Sequence, residues 1–140
     1  MATNIKWTAA LLLAMVVGGV RPVVAQSDAP PVRTQGAVSY VSGGVSSDER
    51  DALKAMSGRF NLQVSVVLGN GEYVGDVPIR IIDAQGHTVL DVVTNGPILY
   101  AHLAPGTYTV STKDKPKDVR QTAHVAATGL RQLIFRIHAP

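Results

Sequence analysis

The chain has 140 residues, of which 46% are apolar and 16% charged, and its formal net charge is +3. That is room for one domain rather than two, and the charged fraction is too low for a charge-driven disordered protein. The absence of cysteine excludes a disulfide framework, a Cys-ligated zinc site, a thiol nucleophile and lipid attachment through an N-terminal cysteine.

Lys6 is followed by an uncharged run from Trp7 to Val20, closed by Arg21. A membrane-spanning helix needs about 20 apolar residues, so the run is too short to span; it has the length of the apolar part of a secretory signal. Val23-Val24-Ala25 then offers small residues at cleavage spacing before polar Gln26-Ser27-Asp28. A signal peptide over residues 1–25 is expected, cut after Ala25, with an uncleaved anchor as the alternative. No Arg-Arg pair precedes the run, which favours the general export route. Cleavage removes two of the 13 basic side chains and none of the 10 acidic ones, so the net charge falls from +3 to +1. The high pI therefore belongs partly to the signal and does not point to nucleic acid. The expected location is the periplasm or the extracellular medium, with no transmembrane span in the mature chain.

Gln26 to Gly44 is rich in Ser, Pro, Gly, Gln and Ala, a composition that buries little apolar surface. Residues 26–45 are expected to form a flexible linker. Within it, only Ala37–Val41 alternates enough to add a short strand.

A helix signal begins at Ser46. Ser46 and Glu49 stand at capping-box spacing, and Asp48, Glu49 and Asp51 crowd the first turn, where the helix dipole favours anions. Gly58 is the expected stop. Ala52, Leu53 and Met56 make one apolar stripe, continued by Phe60. Such a short helix is marginal alone, so it is expected to pack on an open end or edge of a sheet.

From Asn61 the apolar period changes from 3.6 to 2. Strands are expected at Leu62–Leu68, Val77–Ile82, Thr88–Val93, Ile98–Leu103, Thr107–Thr112, Val119–Ala126 and Leu130–Ile137. Turn residues separate them at Gly69-Asn70-Gly71, Asp83–Gly86, Thr94–Pro97, Ala104-Pro105-Gly106, the charged loop Lys113–Asp118 and Thr128-Gly129. Pro78 removes a ladder donor, which places its strand at an edge or near a bulge. No long helical pattern alternates with the strands, so parallel βαβ units are excluded. The expectation is an all-β, seven-stranded antiparallel sandwich with one short N-terminal helix, the folded domain covering residues 46–138.

Three segments carry a family likeness: Val77-Pro78-Ile79-Arg80-Ile81-Ile82-Asp83-Ala84-Gln85-Gly86, Thr94-Asn95-Gly96-Pro97-Ile98-Leu99-Tyr100, and Leu103-Ala104-Pro105-Gly106-Thr107-Tyr108-Thr109-Val110. Together they resemble the carboxypeptidase regulatory-like domain over roughly residues 60 to 137. That resemblance implies a transthyretin-like, immunoglobulin-like sandwich that accompanies a catalytic domain elsewhere. The organisation, with Tyr40–Val45 and a helix ahead of the sandwich, is also similar to that of a group of small exported bacterial proteins. In the turn, Gly106 is expected at positive φ, and Tyr108 is expected to bury its ring and keep its hydroxyl at the rim, hydrogen-bonded.

Candidate chemistry is scattered. His87, His102, His124 and His138 show no His-x-x-x-His or His-Glu-x-x-His spacing. His124 and His138 fall on the last two strands, where a shared metal competes with simple solvation. Asp76, Asp83 and Asp91 bracket strands; a calcium cluster competes with turn formation and surface exposure, and no Asp-x-Asp-x-Asp-Gly loop is present. Ser46 and Ser47 precede a helix rather than occupying Gly-x-Ser-x-Gly, so capping explains them. Lys113, Lys115, Lys117 and Arg120 form a basic stretch interrupted by Asp114 and Asp118; edge protection competes with an anionic partner. The C-terminal Tyr-Arg-Gly-Ser signature of hydroxyisourate hydrolase, a transthyretin-like enzyme, is not matched by Phe135–Pro140. No catalytic, cofactor or metal residue is assigned. The expected function is a non-catalytic envelope module that binds a protein, peptide or glycan; the alternative is a small hydrolase with an unrecognised site.

Overall fold

The computed structural model describes residues 29–114 and 117–138. The signal peptide expected over 1–25, with its cut after Ala25, lies outside the described residues, as does Lys115.

The described residues form nine strands and one α-helix: β1 Arg33–Gln35, β2 Val38–Gly43, α1 Ser47–Ala55, β3 Leu62–Leu68, β4 Pro78–Ile82, β5 Thr88–Val93, β6 Ile98–His102, β7 Gly106–Asp114, β8 Lys117–Val125 and β9 Arg131–Ile137. They form two sheets, ordered β1-β2-β6-β3-β9 and β5-β4-β7-β8. The sheets face each other across one apolar core. Val64, Leu99 and Phe135 come from the first, and Ile79, Ile81 and Val110 from the second.

Each strand expected after Asn61 is found, but the count is nine rather than seven. The segment 26–45, expected as a linker, supplies β1 and β2. Its composition is poor in apolar residues, yet Val38 and Val41 face opposite sides of the sheet and both are buried. Ladder pairing from Ser39↔His102 to Gly43↔Ile98 holds β2 in place. The fully antiparallel expectation is also corrected. β9 runs parallel to β3 in unbroken register from Leu62↔Arg131 to Leu68↔Ile137. The chain reaches β9 from β8 in the other sheet, and the crossover sets its direction.

α1 begins as its residues require. Ser46 Oγ accepts from Glu49 N–H at 3.1 Å. The Glu49 carboxylate accepts from Gly44 N–H at 2.7 Å rather than from the Ser46 amide, so the reciprocal bond reaches two residues further back. The helix ends at Ala55, and Gly58 falls inside a following 3-10 turn, Ser57–Arg59, rather than stopping α1. α1 does not sit at an end or an edge. Leu53 and Phe60 pack with Val41, Ile98 and Tyr100 on the outer face of the five-stranded sheet. The Phe60 and Tyr100 rings stack with centroids 5.7 Å apart. β6 is thus covered on both sides: Ile98 and Tyr100 meet the helix layer, while Leu99 and Ala101 meet the sandwich core.

Two turn readings change. β4 is a central strand, so Pro78 is not at an edge; it is the first residue of the strand, where a missing N–H is tolerated. The irregularity sits instead at Ile81/Ile82. Gly106 is not at positive φ. The chain reverses before it, and Gly106 already pairs with Val125 as the first residue of β7. Gly71, Gly86 and Gly129 do carry the positive φ that their turns need. The charged segment Lys113–Asp118 is less loop than expected, because β7 and β8 stay paired as far as Asp114↔Lys117.

Candidate functional site

Alternation in the four-stranded sheet buries Ile79, Ile81, Val110 and Ala123 and turns their neighbours outward. Register then aligns those neighbours into a row across four strands: Asp91 on β5, Arg80 on β4, Ser111 on β7 and Arg120 on β8. Two residues along, Val93 pairs with Pro78, and Lys113 with Asp118. Between the two rows lies an open groove of about 330 Å³, with Pro78, Arg80, Asp91, Ser111, Lys113 and Asp118 in its lining. Arg80 Nη2 meets Asp91 Oδ2 at 3.2 Å, and about half of each side chain remains exposed. The two hydroxyls of the groove, Ser111 and Thr112, donate to the backbone carbonyls of Arg80 at 3.5 Å and of Pro78 at 3.0 Å. Both hydroxyl protons are thus directed at carbonyls, not at an imidazole or carboxylate that could take them. The arrangement offers charge and hydrogen bonds to a ligand.

A second cavity of about 320 Å³ opens between the β4–β5 turn and the turn before β7, with Asp83, Gln85, Pro105, Thr107 and Tyr108 in its lining. Tyr108 is buried, and its hydroxyl donates to the Ala104 carbonyl at 2.6 Å. Burial, with Asp83 adding a smaller effect, pushes its phenol above the ordinary tyrosine range. Burial alone does the same for Tyr100.

The structure separates the other candidates. His124 sits beside Thr107, its Nδ1 3.0 Å from Thr107 Oγ1. His138 Nδ1 lies 2.9 Å from Asp114 Oδ2, at the far end of the same hairpin. Seven residues of strand put roughly 23 Å between those ends, so the two histidines cannot share a metal. Asp76 and Asp83 flank the two ends of β4, and Asp91 lies on β5 opposite its middle. Asp83 accepts from Gln85 N–H at 3.0 Å and His87 N–H at 2.8 Å, a turn-forming role. Asp91 pairs with Arg80, and Asp76 is exposed at φ 55°. His102 is exposed. Ser46 caps α1, and Ser47 is its first residue.

Sequence reading named Lys113 and Arg120 in a basic stretch interrupted by Asp118 but missed Arg80 and Ser111 as their neighbours. Alternation does mark both as outward. Their adjacency depends on pairing across residues about 30 positions apart, which no local signal carries. No family model and no curated protein matches the chain.

Proposed function

We propose that the protein is a non-catalytic binding module of the cell envelope and that the outer face of the four-stranded sheet is its recognition surface. One observation carries this reading. On the outer face of the five-stranded sheet α1 packs over β2 and β6 and leaves β9 exposed, whereas the outer face of the four-stranded sheet bears an uncovered groove lined by charged side chains. A rigid sheet that positions polar groups at fixed spacing is suited to recognition. The carboxypeptidase regulatory-like, transthyretin-like resemblance fits such an accessory role. Export through a signal cut after Ala25 would deliver the domain to the periplasm or beyond.

Amide-shift mapping of the purified protein against a panel of peptides and oligosaccharides tests this. Saturable shifts centred on Ser111, Lys113 and Asp118 are expected. Shifts confined to α1 would overturn the assignment of the face. Turnover of any panel member, abolished by Ser111→Ala, would overturn the non-catalytic reading and establish a hydrolase.

A further inference from the structure

We propose that the groove over Ser111 takes an acidic peptide in extended conformation, with carboxylates at alternate residues. This rests on the reading of the same face as the recognition surface and names the chemistry of its ligand.

Ser111 is a small residue set among three cations. Arg80 and Arg120 are its cross-strand partners on either side, and Lys113 follows it by two residues on the same strand. Directly paired residues of antiparallel strands stand about 4.5–5.5 Å apart, and residues i and i+2 about 6.6–7 Å apart. Arg80 and Lys113 line the groove beside Ser111, and Arg120 stands next to it in register on β8. Ser111 itself is nearly buried although it points outward, as it must be when its neighbours are long.

The two acids of this face stand at its corners. Asp91 lies beyond Arg80 on β5, and Asp118 lies opposite Lys113 on β8. Asp91 engages a single nitrogen of Arg80, in an exposed pair of the kind that competes poorly with a second partner. A guanidinium has further donors to give. Three cations face two carboxylates, so the face retains an unmatched positive charge.

An extended peptide fits that charge pattern. Its side chains i and i+2 share one face at about 6.6–7 Å, the same repeat that separates the Ser111 row from the Lys113 row. One carboxylate then lies between Arg80 and Arg120, and the next lies against Lys113. Carboxylates suit guanidinium forks in particular. Among the described residues the groove itself is lined by no Phe, Tyr, Trp or His ring on which a sugar could stack, which favours a peptide over an acidic glycan.

Binding of a labelled Gly-Glu-Thr-Glu-Gly peptide to the purified protein tests the proposal, beside Gly-Lys-Thr-Lys-Gly, Gly-Gln-Thr-Gln-Gly and an acidic oligosaccharide. The glutamate peptide should bind saturably, shift the Ser111 and Lys113 amides, and bind more weakly as ionic strength rises from about 0.01 to about 0.15 M. Arg120→Glu and Lys113→Glu should each weaken it at least about tenfold. Lys54→Glu on α1, an equal change in charge on the opposite side, should leave it unchanged. Equal weakening by Lys54→Glu would reduce the effect to net charge and overturn the proposal. Preference for the lysine or glutamine peptide at the same amides would keep the recognition face but overturn the acidic ligand. Tighter binding of the oligosaccharide would replace the peptide by a glycan. Binding by none of the four would overturn the proposal.

Discussion

The side-chain amide of Gln35 pairs with the backbone of Asp91 as a neighbouring strand would. Asp91 N–H donates to Gln35 Oε1 at 2.7 Å, and Gln35 Nε2 donates to the Asp91 carbonyl at 3.2 Å. One residue at the end of β1 thereby joins the edge of one sheet to the edge of the other and occupies hydrogen-bonding groups that β5 would otherwise expose. The opposite seam is closed in the same manner, where Gln121 Nε2 on β8 donates to the Ile134 carbonyl on β9 at 2.7 Å. Unpaired edges invite association with other chains, and here side-chain amides occupy part of two edges.

Gln35→Ala should therefore lower stability modestly, by about 1 kcal/mol, because the bonds are exposed and water replaces them. The sharper effect is local. Hydrogen exchange at the Asp91 amide should accelerate well before global unfolding does. Unchanged protection at Asp91 would mean that β1 does not hold this edge.

Asn61 should be far less replaceable. Its side chain is buried and fully engaged: Nδ2 donates to the carbonyls of Leu103 at 2.7 Å and Ala126 at 3.1 Å, while Oδ1 accepts from Leu103 N–H at 2.8 Å. It ties the start of β3 to the connections after β6 and after β8. Asn61→Ala should cost on the order of 2–4 kcal/mol, since the partners are left buried and unpaired. Urea unfolding measures this. A loss similar to that of Gln35→Ala would contradict the buried network.

Two glycines should behave oppositely. A Cβ on Gly96 would stand against the Gly43 backbone, 2.9 Å from its Cα and closer still to its carbonyl. Gly96→Ala must push β2 away from the β5–β6 connection and should cost on the order of 1–3 kcal/mol. A Cβ on Gly106 would meet only the Tyr108 ring, at an ordinary 3.7 Å. Gly106→Ala should shift the urea midpoint little. Comparable losses at both positions would overturn this assignment of backbone crowding.

Alkaline pH should weaken the fold through its buried phenols. Tyr100 and Tyr108 have pKa values raised above 10.0, so the native state holds their protons more tightly than the unfolded chain does. Their contribution is complete below about pH 10 and is lost as pH rises through the raised values. Urea midpoints should fall on that limb, together with the phenolate absorbance. Tyr108→Phe should cost about 1 kcal/mol at neutral pH by removing the bond to Ala104, and it should flatten the alkaline decline. An unchanged decline would leave Tyr108 without a part in it.

The sequence by itself determined the mostly β class, the start of α1 and the strands from β3 onward. Period-2 alternation from Leu62 to Ile137 reports which side of each strand is apolar, and Ser46 with Glu49 marks a helix start, because these signals are local. A buried Tyr108 ring with a hydrogen-bonded hydroxyl was also legible, although its partner, the Ala104 carbonyl, was not. Only the tertiary structure decided what β1 and β2 do, that β9 runs parallel to β3, that α1 lies on a sheet face, and that Pro78 opens a central strand. Those outcomes depend on which strands pair, and pairing energy belongs to residues distant in the chain. The candidate site divides along the same line: Lys113, Arg120 and Asp118 were visible as charges, but Arg80 joined them only when β4 paired with β7. Gly106 shows the reverse error, where a Pro-Gly signal predicted a conformation that the ladder bond to Val125 replaces.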